Sequence, residues 1–386
     1  MNPSDQASSK ADSNRIEGPH ALHIMVGTKG QMTKMFPILR ELDERGVPYH
    51  FIRTGQMGAI IDDMIKSYGL RTPDYVIAPR DTDLGSIPAC IFWMIRCFFN
   101  GLRWRKKVWG GKKGLVLIHG DTESTLVGAC LAKLSGIQVG HVEAGLRSFK
   151  LFDPFPEEII RRFVSVFSDY LFAPGAWAAG NLSKEKRKGE VIDTGANTIL
   201  DTVRYNLDQL PGARLPKPPY VIAAFHRKEN LYVRKRLLRV VECVERIAVR
   251  HRIIFILHRN TEHVLRKEGI FQRFEENTNI EFAPYFDHVS FMHVIQHCSF
   301  AATDGGSLQE ETFFLNKPYL ILRDRTERQE GIDETSYLSK LDPERVSWFL
   351  DHYNEFTVRG EESLAQPSRV VVDEAIRIVN QLNSAS

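Results

Sequence analysis

Asp121 and Glu143 each stand directly behind an apolar run, in His119-Gly-Asp-Thr122 and His141-Val-Glu-Ala-Gly-Leu-Arg147. Apolar runs of this kind read as buried strands, and open parallel sheets bind ligands just beyond their strand ends. Crowded carboxylates suit proton transfer because they push one another's pKa values apart, so that one stays protonated while another accepts a proton. Glu157, beside Glu158 and after Asp153-Pro-Phe-Pro156, is a third candidate. A carboxylate at a helix start is also an ordinary cap, and both readings of Glu157 stay open.

A second group of residues suits anions. His226 and Arg227 follow the apolar run that ends at Ala224, offering a short donor and a charged fork for phosphate. A plain loop histidine is the alternative. In Thr303-Asp-Gly-Gly-Ser307-Leu-Gln-Glu-Glu311, Gly305, Gly306 and Ser307 make a turn before a helix whose free N–H groups suit a pyrophosphate. Glu311 lies one helical turn inside, where it can accept ribose hydroxyls, and Arg323 beyond the next apolar run supplies countercharge. Gly27-Thr-Lys-Gly30 forms another glycine turn, with Lys29 and Lys34 adding positive charge. It matches neither GxGxxG nor GxxxxGK, so neither a dinucleotide fingerprint nor a P-loop follows. Metal binding has less support. His141 and Glu143 share a strand face without a third ligand at a diagnostic spacing, and His288, His293 and His297 read as one helix face.

Alternating strands and helices must position these groups. Ala21 to Val26, Tyr49 to Arg53, Leu115 to Ile118, Val139 to Val142 and Tyr170 to Phe172 read as strands, each leading into a helical pattern. From Val191 and Ile192 the pattern restarts, and a helix through Ile199 and Val203 runs into the proline-rich linker Leu210 to Pro219. Tyr220 to Ala224, Ile253 to Leu257, Phe300 to Thr303 and Tyr319 to Leu322 then supply a second sheet. A chain of 386 residues fits two such domains. The expected division is a disordered tail over 1–20, an N-terminal Rossmann-like domain over 21–210, a C-terminal one over 211–367, and a terminal helix over 368–386 that crosses back.

With 51 basic against 48 acidic residues the charges nearly cancel, so no broad nucleic-acid footprint is implied. The five cysteines are widely spaced with no CxxC pair, which suits a reducing, cytoplasmic compartment. The first 20 residues lack the apolar core of a signal peptide. Ile87 to Trp104 is the most apolar segment, interrupted by Arg96 and followed by Arg105, Lys106 and Lys107. It reads as a buried or interface helix; a peripheral membrane or lipid-linked acceptor contact through 87–107 is the second reading. The basic run Lys184, Lys186, Arg187 and Lys188 reads as a solvated loop.

Together these motifs resemble the UDP-N-acetylglucosamine 2-epimerases of the non-hydrolysing, bacterial type, over roughly residues 22 to 355. The resemblance rests on His119 to Thr122, Gly140 to Arg147, Pro156 to Glu158, His226 to Asn230, Gln309 to Glu311 and Arg323 to Arg328, in that order and spacing. It implies an α/β glycosyltransferase B fold, two Rossmann-like domains facing across a cleft, and C2 epimerisation of UDP-GlcNAc to UDP-ManNAc. In that family UDP is eliminated to leave a 2-acetamidoglucal and is added back after protonation of the opposite face. The resemblance assigns acid/base chemistry to Asp121, Glu143 and Glu157, and places Lys34 near the reacting sugar. It gives His226 the phosphates, Glu311 the ribose and Arg323 the nucleotide. Lys29, Arg227, Gly305, Gly306 and Ser307 complete the expected nucleotide-binding set. The resemblance implies no cofactor and no metal, a UDP-sugar as partner, a homodimer and a role in polysaccharide biosynthesis.

Three departures stand out. The family's Gly-Thr-Arg-Pro-Glu reads Gly27-Thr-Lys-Gly-Gln31, replacing a guanidinium with an amine and removing a carboxylate. Its Thr-Gly-Gln-His, which in some members helps bind a second, regulatory UDP-GlcNAc, reads Thr54-Gly-Gln-Met57. Its Asp-Ser-Gly-Gly reads Asp304-Gly-Gly-Ser307. The alternatives are a related sugar nucleotide under the same chemistry, a UDP-sugar-dependent glycosyltransferase and a hydrolysing 2-epimerase. Retention of all three carboxylates argues against a non-enzymatic sensor.

Overall fold

The apolar runs pair side by side, in parallel, as two separate sheets. The computed structural model describes residues 16, 18–78, 87–151, 155–185, 188–283, 286–357 and 364–385. Most of the tail expected over 1–20 lies outside the described residues, as do Asp153, Lys186 and Arg187. One compact unit comprises 1–202 with 365–386, and the other 203–364.

The first unit holds β1 (His20–Val26), β2 (Tyr49–Arg53), β3 (Tyr75–Val76), β4 (Lys113–His119), β5 (Gln138–Val142), β6 (Tyr170–Ala173) and β7 (Glu190–Asp193) in the order β3-β2-β1-β4-β5-β6-β7. Its sequence reverses direction between β1 and β4, as in a doubly wound sheet. The helices that matter to the site are α1 (Lys29–Glu44), α2 (Ile87–Arg103), α3 (Glu123–Leu134) and α4 (Glu157–Phe167). Met25, Val116, Ile118, Val139, Leu131 and Val164 belong to the core between sheet and helices. Burial on both faces explains why these strands read as continuous apolar runs.

The second unit repeats the plan with β8 (Val221–Ala224), β9 (Ile253–Ile256), β10 (Ile280–Ala283), β11 (Ala301–Thr303), β12 (Tyr319–Ile321) and β13 (Ser336–Leu338), ordered β10-β9-β8-β11-β12-β13. Here α5 (His288–His297) and α6 (Gly306–Phe314) bear on the site. Aromatic rings fill the core: Phe255 meets Phe225, Phe274 and Phe282 edge-on at centroid distances of 5.5, 5.4 and 5.9 Å.

Two features add to the reading of the sequence. Val191 and Ile192, where the strand–helix pattern restarts, are part of a further strand of the first sheet, β7, paired with β6. The edge strands β3, β10 and β13 are only two, four and three residues long, too short to stand out as apolar runs.

The last helix, Pro367–Ser384, belongs to the first unit. Proline at its first position suits a helix start, where no N–H partner is needed. Its Val371, Val372, Ala375, Ile378 and Val379 are fully buried, and Asn383 Oδ1 accepts the His20 backbone N–H at 2.8 Å. Ile378→Ala is expected to lower stability by about 2–5 kcal/mol in urea unfolding. An unchanged midpoint would mean that this helix is not docked on its sheet.

Candidate active site

In the first unit the strand order reverses between β1 and β4, so the crevice of such a sheet opens beyond their carboxyl ends. Gly27 follows β1 where a Cβ would fall 1.9 Å from Ser124 Oγ and 2.2 Å from Thr54 Oγ1, leaving room for glycine alone. Thr28 caps α1, and Gln31 completes the capping box. Gln31 Oε1 accepts the Gly27 and Thr28 N–H groups at 2.8 and 3.2 Å, while its Nε2 donates to His119 O and Thr125 Oγ1 at 2.7 and 2.8 Å. One amide thus ties the loop after β1 to the loop after β4. A glutamate has no donor for the His119 carbonyl when ionised, which gives the amide its physical reason.

Lys34, further along α1, is 3% exposed and forms an ion pair with Glu143. Glu143 follows β5 in a left-handed backbone conformation, φ 67°, an uncommon place for a residue with a side chain. Its Oε2 also accepts the Asn197 amide, and His119 Nε2 lies 3.9 Å away. A Cβ on Gly120 would come 3.7 Å from Glu143 Oε1, so the loop carrying Asp121 runs beside this carboxylate. Asp121, with its side chain 21% exposed, pairs with Arg161 of α4. Arg161 in turn donates to the fully buried Glu158 at 2.7 Å, which also accepts Arg162 Nε at 2.8 Å and the Ser148 N–H at 3.2 Å. Glu158 is therefore an anchor, whereas Glu157 opens α4 partly exposed. Arg147 locks the chain after Glu143 with a two-pronged contact to Glu185 at 2.7 and 2.8 Å.

The histidines around these carboxylates are held neutral. Burial pushes His119 and His141 down to about 4 from the usual 6.5. His141 Nε2 donates to Gly120 O at 2.7 Å and so braces the loop that carries Asp121. Lys29 is partly exposed, its backbone N–H 3.4 Å from Met57 Sδ.

In the second unit the reversal falls between β8 and β11. Asp304, fully buried after β11, accepts the backbone N–H groups of His226 and Arg227 at 3.1 and 3.0 Å and the Asn230 amide at 3.0 Å. It fixes one strand-end loop to the other. Gly305 and Gly306 start α6 without a side-chain cap, and Ser307 is exposed. A Cβ on Gly306 would come 2.9 Å from Arg328 Nε and 3.3 Å from Arg227 Nη2, so two guanidinium groups crowd the start of the helix. Glu327 bridges Arg227 at 3.2 Å and the buried Arg323 at 2.9 Å, while Arg328 pairs with the buried Glu310. A helix N-terminus with three arginines in its surroundings is chemically fit for a polyanion. The His226 ring, 44% exposed, lies 4.6 Å from that of His258. Glu311 is 5% exposed, and His288 Nε2 lies 3.0 Å from its Oε1.

On α5, His288 meets Glu311, His293 Nε2 contacts Gln209 O at 2.8 Å, and His297 Nδ1 contacts the His293 carbonyl one turn earlier at 2.7 Å. Lys34 and Glu143 are joined directly, and Asp121 is linked through Arg161 to α4. The sequence reading names neither Asn197 nor Arg161; it gives Asp304 only as part of the turn before α6 and His288 only as part of a histidine face. Arg161 alone left a signal, three residues after Glu158 on one helix face.

These two doubly wound sheets, each with its polar groups at strand carboxyl ends, define a two-Rossmann-domain α/β protein of the glycosyltransferase B type. A family model described as UDP-N-acetylglucosamine 2-epimerase matches residues 40–368. The UDP-N-acetylglucosamine 2-epimerase of Methanococcus maripaludis is 31% identical over 341 residues, covering 85% of this chain and 90% of its own length. That of Bacillus subtilis is 29% identical over 334 residues, 83% of each chain. The Methanocaldococcus jannaschii UDP-GlcNAc 2-epimerase, crystallised with UDP-GlcNAc and UDP, matches with a TM-score of 0.76 and 28% identity over 94% of this chain and 99% of that one. The chain belongs to the UDP-N-acetylglucosamine 2-epimerase family and is an enzyme of that general type.

The buried histidines make stability depend on pH. Their folded pKa lies below the unfolded value, so the unfolded chain binds more protons between 6.5 and about 4. The stabilisation is full above that window and is lost as pH falls through it, by up to roughly 3 kcal/mol for each histidine. Urea midpoints should drop from about pH 7 to about pH 5, and less so in His119→Gln. An identical drop in that variant would remove His119 from the account.

Proposed function

We propose that this protein epimerises C2 of a UDP-N-acetylhexosamine, UDP-GlcNAc or a close derivative, by the non-hydrolysing route. The observation that carries this is the carboxylate set on the first sheet: Glu143 oriented by Lys34 and Asn197, and Asp121 oriented by Arg161, on adjoining loops. The relatives' bound UDP-GlcNAc and UDP support the choice of nucleotide sugar.

A carboxylate removes the C2 proton while the C1–O bond to UDP breaks, leaving a C1–C2 double bond and free UDP. Another acid protonates C2 from the opposite side, and the UDP oxygen re-forms its bond to C1. Asp121, Glu143 and Glu157 share the acid/base work. The C2 proton is poorly acidic, so departure of the pyrophosphate must be stabilised as the proton leaves. His226, Arg227, Arg323 and the start of α6 at Gly305 to Ser307 take that charge. Glu311, steadied by His288, receives the ribose hydroxyls. Lys29, at the start of α1, belongs to the same proposed nucleotide-binding set. Retaining UDP until it is added back separates epimerisation from hydrolysis.

With UDP-GlcNAc in D2O, the purified protein should place deuterium at C2 and form the manno epimer. Absence of exchange with every UDP-N-acetylhexosamine, alongside glycosylation of an added acceptor, would replace this reading with glycosyl transfer. Asp121→Asn should cut turnover by about 100-fold or more while UDP binding by calorimetry is retained. An equal loss of UDP binding would move Asp121 from chemistry to nucleotide recognition.

A further inference from the structure

Gly305 opens α6 with no side chain of its own to hold it, yet both of its backbone polar groups are held from β11 and β12. Thr303 Oγ1 accepts the Gly305 N–H at 3.1 Å, and the Tyr319 hydroxyl donates to Gly305 O at 2.8 Å. The two hydroxyls lie 2.6 Å apart. A phenol has one proton, so once Tyr319 donates to Gly305, Thr303 is the donor between the pair. The Thr303 carbonyl, at 3.2 Å, is the more distant acceptor. A closed ring results, from the Gly305 N–H through Thr303 and Tyr319 back to the carbonyl of the same glycine. Burial pushes the Tyr319 phenol well above its ordinary value, so it keeps its proton as a donor. Its position follows from strand register. Tyr319 opens β12 opposite Ala301 of β11, and Thr303 stands two residues further along the same strand face, about 6.6 Å away, a span that a phenol bridges.

We propose that Tyr319 is a positioning residue for the diphosphate of the nucleotide. Through Thr303 and Gly305 it fixes the direction of the Gly306, Ser307 and Leu308 N–H groups, which lack a partner within a helix that starts here. The inference rests on the reading of α6 as the holder of the diphosphate, and adds to it a residue that touches no ligand. Tyr319 is fully buried and acts only through the turn. Packing does not account for its hydroxyl, since phenylalanine fills the same space without a polar atom to satisfy. The turn has need of a clamp. Two consecutive glycines leave its backbone free, and Ser307 lies inside the first helical turn, past the capping position. The clamped residue is also at the right place: a Cβ on Gly305 would come 3.5 Å from His226 Cε1, and one on Gly306 2.9 Å from Arg328 Nε. A small rotation at Gly305 would turn the helix start away from these cationic and donor groups, which share the charge of the diphosphate.

The experiment titrates the full chain, Tyr319→Phe, Thr303→Val and the double variant with UDP, followed by calorimetry, and with uridine, followed by ligand-observed NMR. Each single change should weaken UDP binding about 3- to 10-fold and leave uridine binding unchanged. The double variant should bind UDP no worse than either single one, because both changes open the same ring. Thr303→Val breaks the ring with the phenol in place, so the test stands even where Tyr319→Phe folds poorly by circular dichroism. Unchanged UDP affinity in the folded single variants overturns the proposal. Equal losses for UDP and uridine overturn it too, making Tyr319 a packing residue of the whole nucleotide site, and so do losses that add in the double variant. An unaltered chain that binds UDP but epimerises no UDP-N-acetylhexosamine would sink the epimerase reading and leave the role of Tyr319 standing. One that binds no UDP overturns both.

Discussion

Parallel pairing requires a crossover after every strand, so the carboxyl ends of all strands in a sheet share one edge. All the pairings described between named strands in both sheets are parallel. Loops that are far apart in sequence are therefore brought to a common rim, most closely where the strand order reverses. The loop after β1 meets the loop after β4 through Gln31, and the loop after β8 meets the loop after β11 through Asp304. In each unit a single side chain with several hydrogen bonds holds the reversal point. The candidate site groups follow from that geometry.

Holding charge at these rims has a cost. Desolvating Lys34 and Glu143 takes several kcal/mol per ion, offset only when geometry and further hydrogen bonds are good. Asn197 supplies one such bond, and the nearby His119 is kept neutral by burial, so it adds no second cation. The same logic governs Asp304, whose carboxylate is surrounded by N–H donors instead of a single counter-ion. A partner removed from either cluster leaves a buried charge unsatisfied, which makes both clusters intolerant of change.

The positions of Asp121, Glu143, His226 and Asp304 are legible in the sequence because each follows a buried strand, whose apolar run and abrupt polar end are local signals. Asn197 is not legible. It sits in a loop after β7, and its meaning comes from a backbone reversal at Glu143 that no composition signal announces. The edge strands were hidden for a related reason: Ser336–Leu338 and Tyr75–Val76 owe their strand state to a neighbour, not to their own residues. Gln31 shows the reverse case. A change that looks like a lost carboxylate when set beside relatives is, in the fold, the amide that joins two loops.

The closing helix Pro367–Ser384 has a consequence for biosynthesis. It completes the first unit, yet the whole of residues 203–364 is translated before it. The first unit therefore presents an uncovered face of β1 and α1, the partners of that helix, until the end of the chain has left the ribosome. Maturation of this chain runs inside out, with the domain begun earliest finished last. A chaperone that shields apolar surface has its longest opportunity on the amino-terminal half.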